Sequence, residues 1–280
     1  LWMAAALMIG ASGILAALLY RFSGRAPGWL QRMITCCLTV LVLLFAFLLS
    51  DSPWIARLLP VQALPVWGNL TFPFAILLGA VLLRTAVPRW RRIVFFAALV
   101  LIAGRSLLLP LLRESPVCED RWKNGVCLQT QESSCAAAAA ATLLRLHGIN
   151  TTEQEMADLC LTSDTGTRLH GLFRGLAIKT RGTAHRPRMG RTTAAGLQTS
   201  VMLPAIIAVE LTPQIARKEP RYAGKWGWEV GAPHAVVALA FPDKEKVTVA
   251  DPTFGRENWD IGALRDLMAG DYAVLAPERL

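Results

Sequence analysis

The chain has 280 residues, 54% of them hydrophobic, with a mean hydropathy of +0.41 and a net charge of +9. That is too apolar for an ordinary soluble domain, and the excess lies in the first 112 residues. The charge is uneven too: residues 1–112 carry nine arginines against Asp51 alone, giving +8, whereas residues 113–280 hold twenty basic and nineteen acidic side chains. Basicity confined to the apolar part excludes a nucleic-acid footprint.

Apolar runs at 1–20, 33–50, 66–83 and 93–112 are each about the 20 residues that cross a hydrocarbon core. They predict an α-helical membrane segment of four transmembrane helices over 1–112, with the lipid bilayer as partner, followed by a globular domain over 113–280. A cleaved signal peptide does not account for four runs, and the first has no basic leading region. "RFSGRAPGWLQR" after the first run has three arginines, "RTAVPRWRR" before the fourth has four, and the segment between the second and third has Arg57 alone. By the positive-inside rule the first and third loops are cytoplasmic, so both termini and the globular domain are expected outside. Arg105, within the fourth run, is expected to snorkel toward the outer headgroups. Its alternatives are a place inside the bundle, or an earlier end to the span with "SLLLPLL" along the interface.

Six cysteines follow in order. Cys36 and Cys37, in the second span, read as packing residues. Cys118 and Cys127 bracket "EDRWKNGV" and in an oxidising compartment would close that loop as a disulfide; as a zinc pair they lack a second nearby Cys/His pair. Cys160, in "EQEMADLCL", reads as core. Cys135 differs. In "QTQESSCAAAAAATLLRLHG", residues 129–148, it opens a helix of strong helix formers that ends on Gly148, with Ser133 or Ser134 as cap. Backbone N–H groups in a first helical turn favour a thiolate, so Cys135 is a candidate nucleophile.

A cysteine nucleophile needs a base, an orienting group and oxyanion donors. Of four histidines, His147 closes the cysteine's own helix, and His170 and His185 lie in Gly/Arg/Thr-rich segments that read as exposed. His234 instead starts "HAVVALAF", a buried strand, and Asp251 ends "KVTVADP", joined to it through "PDKEK" as a hairpin. Both therefore fall at one sheet edge, where a carboxylate can hold an imidazole's tautomer. Gln129, just upstream of Cys135, supplies a side-chain amide for the oxyanion. Helices are expected near 135–147, 152–162 (with a capping box from Thr152 to Glu155) and 167–178. Strands are expected near 203–211, 234–241, 246–251 and 271–277. "RGTAHRPRMGRTT" reads as a basic, mobile loop. Trp226 and Trp228 are candidates for the wall of a substrate groove, with packing or a membrane interface as their alternatives.

Residues 126–277 resemble the papain-like peptidases that process bacteriocin precursors at double-glycine leaders, usually fused to ABC exporters. The likeness rests on "LQTQESSCAAAAAATLLRLHGI", "TTEQEMADLC", "TGTRLHGLFRGLAIKT" and "HAVVALAF…KVTVADPTFG". It implies an α+β domain with an antiparallel sheet, Cys135 as nucleophile, His234 as general base and acid, Asp251 as orienter, Gln129 as oxyanion donor, and no metal or organic cofactor. Departures are Ser134 where the family has an acid, Ala136 where it has glycine, and the absence of any Walker-type loop or Gly-Gly within the 280 residues. The expected activity is that of a membrane-anchored cysteine endopeptidase acting on a secreted or membrane-associated peptide, with a glycine-type leader as one substrate class and a secretion or export system as a partner. The alternatives are a catalytically silent papain-like module that recruits a peptide to a membrane complex, and an acyl transferase using the same triad.

Overall fold

Prolines punctuate the apolar half. Pro27 and Pro88 stand immediately before helices α2 (Gly28–Leu44) and α6 (Arg89–Leu112), where a missing N–H costs nothing. The computed structural model describes residues 1–49, 52–224 and 227–278, and the chain divides into two compact units, Leu1–Arg113 and Glu114–Leu280. The first unit contains α1 (Trp2–Ser23), α2 continued by a π-helical turn Phe45–Leu49, the short α3 (Pro53–Leu58) and α4 (Leu64–Trp67), α5 (Thr71–Leu82) and α6. Four helical stretches are long and apolar enough to cross a membrane: Trp2–Ser23, Gly28–Leu49, Leu64–Leu82 and Arg89–Leu112.

Small residues (Ala4, Ala5, Ala75, Ala103) let these helices approach, while large side chains such as Leu7, Phe47, Phe95 and Leu101 face outward. Polar ties cross the bundle: Trp67 Nε1 donates to the Ala4 carbonyl at 2.9 Å, Asn69 Nδ2 donates to Ser106 Oγ, and Arg84 Nε donates to the Tyr20 carbonyl at 3.3 Å. One expectation is corrected, and the two alternatives for Arg105 are set aside. Cys36 and Cys37 are exposed on α2 rather than packed. Arg105 is exposed on α6, not within the bundle, and α6 runs unbroken through Pro110 to Leu112 rather than ending early.

The second unit is α+β. A hairpin of β1 (Arg121–Lys123) and β2 (Val126–Leu128) precedes three helices, α7 (Cys135–Leu146), α8 (Glu153–Leu159) and α9 (Leu169–Lys179). There follow β3 (His185–Arg191), α10 (Ala194–Ser200), β4 (Ala205–Glu210), α11 (Pro213–Lys218), α12 (Arg221–Gly224), β5 (Pro233–Ala240), β6 (Lys246–Asp251), β7 (Gly255–Asp260), α13 (Ile261–Leu267) and β8 (Met268–Pro277). The six long strands form one sheet in the order β3-β8-β4-β5-β6-β7, every neighbouring pair antiparallel.

Strand periodicity assigns the faces. Ile206, Ala235, Val237 and Ala250 pack with α7–α9, while Ile207, Val236, Val247 and Val249 pack on the opposite side with Leu197, Leu264 and the aromatic group Tyr222, Trp228 and Trp259. Both faces are covered, which is why β5 reads as a continuous apolar run. Helix α7 is buried on nearly all sides: Ala137–Ala141 are completely inaccessible, as a helix in the middle of a core must be. Thr142 Oγ1 accepts the Cys127 N–H at 2.9 Å and ties β2 to that helix. Thr152 Oγ1 caps α8 by accepting from the Glu155 N–H, as the capping-box spacing predicts. The Glu155 carboxylate turns instead to Thr151 and Lys179.

The segment read as a mobile basic loop is β3, the edge strand, paired along its whole length with β8. Its alternation (Pro187 and Met189 in, Arg188 out) is masked in the sequence by arginines and a proline, which an edge strand tolerates. Likewise His170, expected at the surface, is 3% exposed. Helices α8 and α9 meet at two glycines. A Cβ at Gly171 would overlap the Cys160 carbonyl oxygen, and one at Gly175 would overlap Cys160 Sγ. Gly171→Ala therefore forces backbone apart and is expected to cost about 1–3 kcal/mol, the usual penalty of overpacking. Thermal unfolding of the detergent-solubilised chain, compared with Gly262→Ala, where nothing lies within 4 Å, measures it.

Candidate active site

The site is assembled from both ends of the second unit's fold. Cys135 is the first residue of α7 and is half-buried. Ser134 occupies the N-cap position but does not cap through its side chain; its Oγ donates to the Gln131 carbonyl at 2.8 Å, tightening the loop that precedes the cysteine. That loop is fastened twice more. The Gln129 N–H donates to the Pro252 carbonyl at 2.8 Å. Thr130 donates both its N–H and its hydroxyl to the carboxylate of Glu153, at 2.8 Å each. Glu153 is wholly buried, and its charge is offset by these donors.

Across from α7, His234 lies at the start of β5, where it pairs with Val209 of β4, and Asp251 closes β6. Val237 pairs with Ala250, so the antiparallel register brings the two functional residues to the same edge. His234 Nε2 donates to Asp251 Oδ1 at 2.9 Å, which leaves Nδ1 for the sulfur of Cys135, a neighbour in the lining of the same cleft. Cys135, His234 and Asp251 are thus brought together as one chain of contacts.

Asp251 is fully buried and multiply bonded. Its Oδ2 accepts the Trp228 indole N–H at 3.0 Å, and its Oδ1 also accepts the Thr253 N–H at 2.8 Å and the Thr253 hydroxyl. Trp228 lies with its ring centroid 4.7 Å from that of His234 and is 5% exposed. The structure therefore puts Trp228 behind the histidine as a clamp on Asp251, not in a groove wall. Trp226 lies outside the described residues.

Gln129, expected as oxyanion donor, is not aimed at the cleft. Its Nε2 donates to the carbonyls of Gln131 and Glu132, at 3.2 and 3.5 Å, and its Oε1 is buried without a hydrogen-bond partner. Cys118 and Cys127 are free thiols, which corrects the expected disulfide. Cys127 faces Trp122 across the hairpin, and the Cys118 backbone is held by Gln154 Oε1 at 2.7 Å with its Sγ toward the Pro116 carbonyl. Burial, with the Glu153 charge nearby, pushes both thiols up, Cys118 to about 11. Glu153 and Thr253 were missed by sequence reasoning, and Trp228 was given a different role. Of these only Thr253, two residues past an Asp-Pro turn, had a local signal.

Cys135 is tuned the other way. Burial pushes its thiol up, but the His234 hydrogen bond and charge, with the Ala235 and Ala136 backbone N–H groups, more than reverse this and hold it below the ordinary thiol value. Burial alone would lower His234, yet its bonds to Asp251 and Cys135 and their charges raise it to about 9. The favoured state is a thiolate–imidazolium pair at the floor of a cleft of about 400 Å³, bounded by Cys135, Ala136 and His234 below and Leu169, Leu172 and Ile206 along its sides. A nucleophile, a proton donor for a departing amine and backbone N–H groups at a helix start are what acyl transfer requires.

Thiol, imidazole and carboxylate set between a helical layer and an antiparallel sheet define a papain-like cysteine-peptidase fold. Residues 123–211 match the peptidase C39 family, a span that takes in Cys135 and ends before His234 and Asp251. An uncharacterized protein of Methanothermobacter thermautotrophicus (strain Delta H) is 30% identical over 131 residues, 47% of this chain and 73% of the relative. A second uncharacterized protein, from Methanothermobacter marburgensis (strain Marburg), is 28% identical over 153 residues, 54% of this chain and 86% of the relative. Among solved structures, a double glycine motif protease from an AMS/PCAT transporter in complex with the leader peptide superposes with a TM-score of 0.44 at 17% identity, over 59% of this chain and 100% of that one. The peptidase domain of Streptococcus ComA, a bi-functional ABC transporter, gives 0.43 at 17% identity, over 54% and 96%. The chain belongs to the peptidase C39 family.

Because His234 is raised, its imidazolium persists at pH values where a free imidazole is neutral, and it is lost as pH rises through about 9. The lowered thiol, conversely, stays ionised until the medium becomes acidic enough to protonate it. A bell-shaped kcat/KM profile with its alkaline limb near pH 9 is expected. Asp251→Asn, which removes the raising interaction, should move that limb to lower pH; an unmoved limb would detach it from His234.

Proposed function

We propose that this chain is a membrane-anchored cysteine endopeptidase that cleaves a secreted or membrane-associated peptide, with a glycine-type leader as one substrate class. The observation that carries the reading is the contact chain Cys135–His234–Asp251 at the floor of an open cleft, together with family membership. The Cys135 thiolate attacks the scissile carbonyl carbon, and the carbonyl electrons move to oxygen. The Cys135 backbone N–H and the Gln129 amide hold that oxyanion, Gln129 turning its Nε2 from the Gln131 and Glu132 carbonyls to do so. His234 gives its proton to the leaving amine, then takes one from water as the acyl-enzyme is hydrolysed. Asp251 keeps the ring oriented and stabilises the imidazolium. Water is the acceptor in this scheme; another amine in its place would make the same site an acyl transferase.

The arginine distribution supports an extracytoplasmic domain, with the loops bearing Arg21, Arg25 and Arg32 and bearing Arg84, Arg89, Arg91 and Arg92 on the cytoplasmic side. A secretion or export system would then deliver the substrate to that side.

Mass-spectrometric profiling of a diverse peptide library should give cleavage by the protein and none by Cys135→Ala. Cleavage that survives in the variant sinks the proposal, and cleavage by neither folded protein favours the silent recruiting module. Gln129→Ala should lower kcat about 10²–10³-fold, as loss of one oxyanion donor does elsewhere; a change in KM alone would make Gln129 a loop residue only. For topology, a membrane-impermeant thiol reagent applied to intact cells should label a cysteine placed at the exposed Arg256 position. Labelling only after lysis would put the domain in the cytoplasm.

A further inference from the structure

Four carboxylates, Glu132, Asp164, Glu229 and Asp271, line the cleft around the thiol, and among the described residues no lysine or arginine does. This bias is local, because residues 113–280 as a whole hold twenty basic against nineteen acidic side chains. Asp271 is answered by Arg191, Nε to Oδ1 2.9 Å, from a side chain that is 69% exposed. No cation among the lining residues answers Glu132 or Glu229, both of which are exposed. The one positive group at the floor, the His234 imidazolium, is already offset by Asp251 and by the thiolate.

The two glutamates are held by anchored backbone, one on the segment that leads to Cys135 and one on the segment that leads to His234. Glu132 stands three residues before the nucleophile, and its carbonyl takes a hydrogen bond from Gln129 at 3.5 Å. Glu229 stands five residues before His234, its carbonyl accepting the Ala232 N–H at 3.3 Å in the turn that leads into β5. A peptide lying across Cys135 passes between them. We infer that this cleft selects cationic peptides, those with lysine or arginine close to the scissile bond, through Glu132 on the cysteine's wall and Glu229 on the histidine's. The inference rests on the peptidase reading for the words "scissile bond", but the potential it invokes is a property of the cleft itself. Negative charge of one sign lining a concave site concentrates oppositely charged ligands and repels like-charged ones, and salt weakens both effects.

The test separates the two. The detergent-solubilised full chain is treated with a pair of methanethiosulfonates of similar size, one bearing a quaternary ammonium and one a sulfonate, and modification of Cys135 is followed by peptide mass spectrometry. Relative to a small free thiol, the cationic reagent should gain about tenfold over the anionic one at low ionic strength, with the gain compressed by added salt. Glu132→Gln with Glu229→Gln should remove most of it, while Glu257→Gln, on β7, should not. A ratio equal to that of the free thiol, or one unmoved by the double substitution, overturns the proposal whatever the protein cleaves. In the cleavage library the same preference should appear as about tenfold higher kcat/KM for peptides with Lys or Arg flanking the cut than for those with Glu there, again lost in the double variant. Cleavage that ignores flanking charge also overturns the proposal, whereas a preserved reagent ratio without any cleavage supports the charged cleft and sinks the peptidase reading alone.

Discussion

A sulfur atom and an imidazole from opposite layers of the second unit can share a proton only if those layers come very close, and the approach of α7 to β5 decides whether they do. A helix carries its own side chains as a spacer, and leucines along that face would hold Cys135 away from His234. The run Ala136–Ala141 removes the spacer, and its inner members are completely buried. The cost is a helix that contributes little apolar area per residue. The surrounding strands make up for it with Val237, Ile206 and Leu275, packed against the same alanines. The cysteine is therefore positioned by the body of the core, and the small side chains behind it serve the approach of Cys135 to His234 as much as packing.

A buried carboxylate is the second requirement of the site. An ionised Asp251 with no accessible surface would be untenable without donors, and it has four: the His234 ring, the Trp228 indole, and the Thr253 backbone and hydroxyl. Trp228 belongs at the same time to an aromatic group with Tyr222 and Trp259. The orientation of the imidazole is thereby tied to packing on the far face of the sheet. Glu153 repeats the device on the other side of Cys135, a second buried carboxylate whose donors are the backbone and hydroxyl of Thr130. One acid holds His234 and the other holds the loop that leads to Cys135.

Features with a local signature could be read from the sequence, and features made by distant contacts could not. Four apolar stretches of membrane-crossing length, the alanine helix behind a cysteine, the capping box at Thr152 and the β5–β6 hairpin each announce themselves within about twenty residues. The hairpin alone predicts that His234 and Asp251 share an edge, and they lie 2.9 Å apart. Strand β3 was invisible because Arg186, Pro187 and Arg188 have poor strand propensity, and its pairing comes from β8, some eighty residues later. The disulfide expectation failed for a related reason: a short loop between two cysteines says nothing of where their sulfurs point, and the backbones of both are held by Thr142 and Gln154, which lie outside the loop. Trp228 was noticed for its size, but its indole N–H finds its partner only in the folded chain.

The six-stranded sheet ends in β3 on one side and β7 on the other, and both carry charge outward: Arg188 and Arg191 on the first, Arg256 and Asp260 on the second. Pro187 further interrupts the first, since it has no N–H to offer an incoming strand. Any open sheet is exposed to extended segments able to prolong it by one more strand. With both borders so guarded, the fold is kept from growing by edge-to-edge pairing, with its own copies or with foreign chain.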